Sequence, residues 1–424
     1  MSRWRLLIFL FLISVMTYVD RVNIAVAGAQ MSGALGLSRV ELGVIFSAFA
    51  FGHALFQIPG GWLGDRYGHK RVLAVALIWW SVFTSLTAWV GSSSIGSAIG
   101  VVTSLCFVRF LIGLGEAAAY PCANGLVRAW FPPSQRGRAT GVILGGIGVG
   151  STITPPIVAV LMLRFGWESS FYIAGALGVI LALVFYFAVR EEEPSSDADD
   201  RSNVSFGGKT PWADLLKNRQ LWLLTVSSFF SGYVAYIFIA WFYLYLIEVR
   251  GFTLLRGSFY AALPFVAATI GFPLGGVLGD FFSTRVGAIR ARRNIVIAGM
   301  LPASLLLYFG ATVGDPLWAI AALSLTAGLG TLTHSSYWVI AIESVPSHTA
   351  TAVGITNTGF NLGGVCSSIL TPWIAARYGW STALSVAAIA SVVVVILWKF
   401  IGDANRAFGA NFIRPVLHRK PAPN

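Results

Sequence analysis

Apolar runs of about twenty residues recur from one end of the chain to the other, separated by short polar or glycine-containing breaks. A helix needs about 20 such residues to cross the hydrocarbon core of a bilayer. The pattern predicts twelve spanning helices, at approximately 6–27, 42–63, 72–91, 97–129, 138–163, 167–189, 220–247, 257–279, 293–313, 316–343, 350–376 and 380–401. The runs do not alternate as a membrane barrel requires, so the fold class is an all-α membrane protein. The fourth and tenth runs are long, which predicts tilt or extension beyond the membrane. One sizeable polar stretch, residues 190–219 with its EEEP start and SSDADDRS run, separates six spans from six. It reads as a solvated linker between bundles at 1–189 and 220–401, with a cytoplasmic tail at 402–424.

Composition agrees with that picture. The 424 residues are 56% hydrophobic and 11% charged, whereas a soluble domain is about 25% charged. The net charge of +12 raises the question of nucleic acid, and its placement answers it. Arg39, Arg164, Arg250, Arg256 and Arg377 fall on one side of the predicted membrane, while nearly all other Lys and Arg residues fall on the other. That asymmetry puts both termini in the cytoplasm. Arg3 and Arg5 before an apolar run, with Ala25-Val26-Ala27 beyond, resemble a signal peptide; Asp20, Arg21 and Asn23 interrupt its apolar region, so an uncleaved first helix is expected. Cys106, Cys122 and Cys366 lie singly in apolar spans and read as core residues, and no metal or cofactor is expected.

The halves repeat. GWLGDRYG at 61–68 answers GVLGDFFSTR at 276–285, so that Gly61 and Asp65 match Gly276 and Asp280. Arg164-Phe165-Gly166-Trp167 answers Arg377-Tyr378-Gly379-Trp380, and Pro133, Gly141 and Gly150 answer Pro346, Gly354 and Gly363. These are two six-helix units in parallel orientation. GWLGDRYGHKR resembles the loop signature between the second and third helices of the major facilitator superfamily. The resemblance implies two bundles rocking about a central site, with Gly61, Asp65, Arg66, Gly68, Lys70, Arg71 and Asp280 in gating loops.

Charges inside apolar spans are costly and mark function. At 100° per residue, Arg109, Gly113, Glu116 and Tyr120 share one helical face. Asp20 and Arg21 on the first helix point about 100° apart, so each needs a partner elsewhere. His53, Asn357 and Asn361 fall at similar depth, and a polar layer drawn from several helices describes a transport site. YVDRVNIAV, QIPGGWLGDRYG, RFLIGLGEAAAYP and WFPPSQRGRA together resemble the anion:cation symporter family, which includes hexonate, hexarate and hexuronate transporters, sialin and the vesicular glutamate transporters. Carried over position by position, the resemblance implies that Asp20 and Glu116 couple protons and that Arg109 holds the substrate carboxylate. Arg21 would support the site, Tyr18 and Asn357 would line it, and Ser336 and Trp338 would contribute from the tenth helix. His53 and Ile147 stand where sugar-acid members carry tyrosine and glutamine; His53 could carry a proton or simply pack.

The second half lacks the charges: Leu323 and Gly330 stand near the counterparts of Arg109 and Glu116, and Ala235 near that of Asp20. Tyr233 and Tyr236, at i and i+3, could meet a polyol, whereas Trp241, Tyr243 and Tyr245 near a helix end read as an interfacial belt. The fifth helix fits the antiporter motif of drug exporters at Gly141, Gly150 and Pro155 but not at Thr154 and Val158. The expected function is proton-coupled symport of an organic anion such as a sugar acid, by a monomer in a bacterial inner membrane. The rivals are an antiporter of the same fold, a membrane receptor and, last, an integral membrane enzyme.

Overall fold

The computed structural model describes residues 3–92, 100–131, 133–189, 217–344 and 349–402. The linker at 190–216, Pro346, the tail from 403 and the side chains of Asp65 and Pro133 lie outside the described residues. The helices, in chain order, are α1 (Arg3–Leu35), α2 (Arg39–Tyr67), α3 (His69–Ser92), α4 (Val101–Glu116), α5 (Ala119–Trp130), α6 (Pro133–Phe165) and α7 (Trp167–Ala188). The second half holds α8 (Arg219–Tyr236), a π-helical turn at Ile237–Trp241, α9 (Phe242–Glu248), α10 (Leu254–Val286), α11 (Ala288–Thr312), α12 (Pro316–Leu332), α13 (His334–Ser344), α14 (Thr349–Tyr378) and α15 (Trp380–Phe400). Eleven stretches of described residues are long and apolar enough to span a membrane. The remaining predicted span, α14, has 30 residues but carries Asn357 and Asn361.

Local signals start these helices. Ser38 and Glu41 close a capping box on α2, and Asn218, Thr253 and Asp315 cap α8, α10 and α12. The Ala25-Val26-Ala27 stretch is buried inside continuous α1. Gly166 and Gly379, at φ +84° in each case, make the one-residue turns between α6 and α7 and between α14 and α15. A Cβ is strained there, which explains the repeat of RFGW as RYGW.

The same pairings recur in both halves. α1 packs on α6, α2 on α4 and α3 on α7; α8 packs on α14, α10 on α12 and α11 on α15. Glycines set the approach distances. A Cβ on Gly146 would lie 2.7 Å from the Phe11 carbonyl oxygen, and one on Gly359 2.5 Å from that of Thr225. Gly150 and Gly363, matched in sequence, press on the backbones of Val15 and Phe229 in the same way.

Three expectations need correction. The predicted loop at Gly61–Arg71 is almost all helix: Gly61, Asp65 and Arg66 finish α2, Lys70 and Arg71 open α3, and only Gly68 lies between. Its amide closes the last turn of α2 onto the Gly64 carbonyl at 3.0 Å while its φ of +92° reverses the chain. In the second half Asp280 sits about two turns before the equivalent Gly287, where Asp65 is less than one turn before Gly68, because α10 has 33 residues where α2 has 29, and it pairs with Arg292 of α11. Second, the predicted fourth span is broken after Glu116 and the tenth at Thr333. Pro121 has no N–H for the Ala117 carbonyl, and its ring crowds that turn. Third, Trp241, Tyr243 and Tyr245 are 0%, 3% and 2% exposed and form no interfacial belt. The π turn tucks them inward, with Trp241 5.3 Å from the Phe46 ring and 6.3 Å from that of Trp380.

The halves meet along α2–α14 and α6–α10. At the end remote from the termini they are joined by Arg39 and Glu248, 2.8 Å apart, with Phe46 on Trp241 directly beneath.

Candidate functional site

Half of the polar layer lies on α1, α2 and α4. Arg21 donates from Nε to Glu116 Oε1 at 2.6 Å, and its Nη2 lies 3.3 Å from His53 Nε2. Glu116 is fully buried and the Arg21 side chain is 9% exposed, so this is an ion pair inside protein. The adjacent-residue argument therefore holds for Arg21: its partners come from α2 and α4, and Tyr18, one helical turn back, stacks its ring 5.0 Å from the guanidinium. Tyr120 lies beyond the break in the span, and its hydroxyl is 3.1 Å from Ser14 Oγ of α1.

Asp20 turns the other way. Both its carboxylate oxygens are buried without a hydrogen-bond partner, beside Trp80 and Thr84 of α3, whose polar atoms are orphaned too. Asn23, one turn on, has both amide atoms unpaired. A buried polar group normally finds a partner; the Asp20 carboxylate has only Trp80 and Thr84 close by, outside hydrogen-bond geometry.

Arg109 is 3% exposed and its Nε is a buried orphan. Among the described residues its guanidinium makes no hydrogen bond or ion pair; its close neighbour is the ring of Phe49, with the guanidinium carbon 4.8 Å from the centroid. Arg21 lies 5.2 Å from the same ring, and the His53 imidazole stacks on it at 5.9 Å and 12°. Phe49 was not legible as a site residue, although its i, i+4 spacing from His53 puts both on one face of α2.

These side chains open onto a cavity between the halves, lined by Arg21, Phe46, Phe49 and Arg109 on one side and by Tyr236, Ile239 and Ala240 on the other. Tyr236 donates its hydroxyl hydrogen to Asn361 Oδ1 at 3.2 Å, and Asn361 Nδ2 donates to the Asn357 carbonyl at 3.0 Å. A second cavity, wholly within the second half, is lined by Ser228, Ser231, His334, Tyr337, Trp338 and Asn357. It holds hydroxyls, an amide and rings but no formal charge. Four predicted lining residues sit elsewhere: Tyr18 lies against the Arg21 guanidinium and Asn361 behind Tyr236, and neither lines either cavity. Tyr233 faces Thr371, whose Oγ1 is 3.5 Å from the phenol oxygen, and lines neither cavity. Ser336 is fully buried with an orphaned hydroxyl and lines neither, because α13 restarts after the break at Thr333 and turns it into the bundle. In the predicted gating segment, Arg66 lies over the Trp62 and Tyr67 rings at 5.2 and 5.5 Å, and Lys70 over Tyr186 at 4.6 Å.

Comparison with known proteins matches this architecture. The sequence profile of the Major Facilitator Superfamily matches residues 10–365 and again 281–418. The chain is 34% identical over 375 residues to a probable sulfoacetate transporter of Cupriavidus necator, covering 85% of each protein. It is 29% identical to a probable galactarate/D-glucarate transporter of Escherichia coli, covering 96% of this chain and 94% of the relative. It is 30% identical to the hexuronate transporter of Bacillus subtilis, covering 98% and 96%. The crystal structure of a bacterial homolog of the human lysosomal transporter Spinster, inward-facing and unoccupied, superposes with a TM-score of 0.78 at 19% identity over 95% of this chain and 97% of that one. A match over most of its length, on a twelve-span fold with a charged cavity between two repeated halves, makes this chain a member of the Major Facilitator Superfamily, a membrane transporter and not an enzyme.

Proposed function

We propose that the protein carries a small organic anion of the sugar-acid class by proton-coupled symport, the two halves rocking around the cavity between them. The observation that carries this reading is Arg109: a buried guanidinium on the wall of the cavity that makes no ion pair or hydrogen bond among the described residues. A buried cation without a partner costs several kcal/mol and is retained for a ligand. Its planar fork of donors suits a carboxylate or a sulfonate. The relatives named for galactarate, glucarate, hexuronate and sulfoacetate carry such groups, which supports the same class here.

The coupling role falls to Glu116 and Asp20. Glu116 is already occupied with Arg21, so a proton on Glu116 frees Arg21 rather than Arg109. The site then changes from one open cation to two, which favours entry of an anion. Asp20, orphaned beside Trp80 and Thr84, takes up a proton without breaking an ion pair, and His53 extends the Arg21 network towards α2. With substrate and protons aboard, the site is close to neutral, which lowers the cost of sealing it from water. Tyr236 then serves the uncharged part of the substrate, Tyr18 and Asn361 hold Arg21 and Tyr236 in place, and Asn357 and Trp338 contribute from the neighbouring cavity of the second half. Residues 1–189 and 220–401 act as the rocking units within one monomer, with residues 190–219 joining them and both termini in the cytoplasm. The contact between Arg39 and Glu248 closes the outer end, so this arrangement belongs to the part of the cycle that is not open outward.

Uptake of labelled glucarate, glucuronate and sulfoacetate into proteoliposomes tests the reading. An inward proton gradient should drive accumulation of at least one of them. Glu116→Gln should keep counterflow exchange and lose accumulation. Uptake indifferent to the gradient would sink the coupling, and absence of uptake for every sugar acid would sink the substrate class.

A further inference from the structure

Phe49 is buried at 3% exposure, and two guanidinium groups share its ring: Arg109 at 4.8 Å and Arg21 at 5.2 Å. Its place is fixed from behind. A Cβ on Gly113 of α4 would overlap the Phe49 carbonyl oxygen, so only a glycine there lets α2 come close enough to lay the ring beside Arg109. The His53 ring, stacked almost parallel at 12°, fills the next turn of α2.

The two arginines use the ring differently. Arg21 is also held by a carboxylate, Glu116. Among the described residues Arg109 makes no ion pair or hydrogen bond, and the ring is what its guanidinium rests on. A carboxylate holding Arg109 would consume its N–H donors and cancel its charge, and an incoming anion would have to displace it. An aromatic face attracts a guanidinium through its quadrupole without accepting a conventional hydrogen bond in the guanidinium plane. The cation stays oriented while its donors remain unspent.

We propose that Phe49 is the positioning residue of the anion site: its ring holds the Arg109 guanidinium in place and leaves the donors free for the substrate. The proposal rests on the anion-transport reading above. The attraction of a buried ring for a cation corresponds to about two- to thirtyfold in an equilibrium constant. Loss of the ring should therefore appear in KM rather than in the turnover of the loaded carrier.

The test replaces Phe49 in the full-length protein with Leu, with Trp and with phenylalanines carrying successive ring fluorines, and measures uptake in proteoliposomes beside glucarate binding to the purified protein. The expected result is a rise in KM and Kd of about tenfold for Phe49→Leu with maximal uptake within about twofold, near wild-type values for Phe49→Trp, and a stepwise rise with each fluorine. Fluorination barely alters shape, so the series decides the matter even if Phe49→Leu fails to fold. Constants that stay flat across the fluorinated series overturn the proposal, whatever Phe49→Leu does. Binding without uptake, with Kd still rising along the series, refutes transport and upholds Phe49; a wild-type protein that neither binds nor carries any of the anions overturns both.

Discussion

The two halves of this molecule share a backbone and differ in chemistry. In each, the first helix of the half packs on the fifth through glycines pressed against carbonyls, Gly146 and Gly150 in one and Gly359 and Gly363 in the other. In each, the fourth helix of the half is broken near the same place, after Glu116 and at Thr333. Yet Arg21, Arg109, Asp20 and Glu116 have no charged counterparts among α8, α12 and α13. The second half instead hydrogen-bonds its polar groups to one another: Tyr337 reaches Ser227 at 2.7 Å and Ser231 at 2.8 Å, and Trp398 donates to Ser227 at 2.8 Å. Both halves leave buried polar atoms unpaired, but in the first they include the Asp20 carboxylate and Arg109 Nε of the polar layer, whereas on the matching helices of the second they are neutral, as with the Ser335 and Ser336 hydroxyls. The repeat therefore accounts for the shared packing, and the charged groups of the polar layer belong to the first half alone.

The sharpest way to break this comparison is to remove the open cation. Arg109→Gln should cut uptake by about 100-fold, since a charge-assisted bidentate contact is lost. Arg109→Lys should recover little of it, because a point charge does not reproduce the fork. Initial rates at fixed substrate decide this, and a lysine variant close to wild type would mean that charge alone suffices.

A smaller effect separates two glycines at equivalent helix pairings, Gly113 on α4 against α2 and Gly328 on α12 against α10. Gly113→Ala drives a methyl group into the Phe49 carbonyl, and such overpacking costs about 1–3 kcal/mol. Gly328→Ala meets nothing nearer than the Ala267 methyl at 3.1 Å, and alanine is the better helix former. Thermal unfolding and KM measured on both should show a lowered Tm and a raised KM for the first and little change for the second; equal effects would dissolve the distinction between the halves at this contact.

The smallest expected change is on the second half's side of the cavity. Tyr236→Phe removes one hydrogen bond to Asn361, worth about 1 kcal/mol. KM for a polyhydroxylated acid should rise a few-fold, with little change for sulfoacetate, which has no hydroxyl for that side to recognise.

Much of this was legible in the sequence. Charges stand out against 56% hydrophobic residues, so Asp20, Arg21, Arg109 and Glu116 announced themselves, and Gly166 and Gly379 gave away the repeat by their matching turns. What the sequence could not say was which arginine holds Glu116. That choice depends on how far α1 approaches α4, and glycine contacts set the distance. Phe49 was hidden for the opposite reason: an aromatic residue in an apolar helix carries no contrast. Trp241, Tyr243 and Tyr245 were misread because a period of 3.6 residues is assumed when a helix is drawn, and the π turn at Ile237–Trp241 changes the phase of everything after it.

Among ion pairs between described residues, Arg39 with Glu248 alone ties one half to the other. Its side chains are 42% and 29% exposed, and a pair so open to solvent is worth no more than about 1 kcal/mol. Such a fastening is too weak to hold the two halves together by itself. Its strength also belongs partly to the medium, because mobile ions screen it over a Debye length of about 8 Å at physiological ionic strength. On the rocking cycle proposed above, the salinity of the surroundings would thus shift the dwell time of this end by no more than the few-fold that about 1 kcal/mol allows, without touching any residue of the cavity.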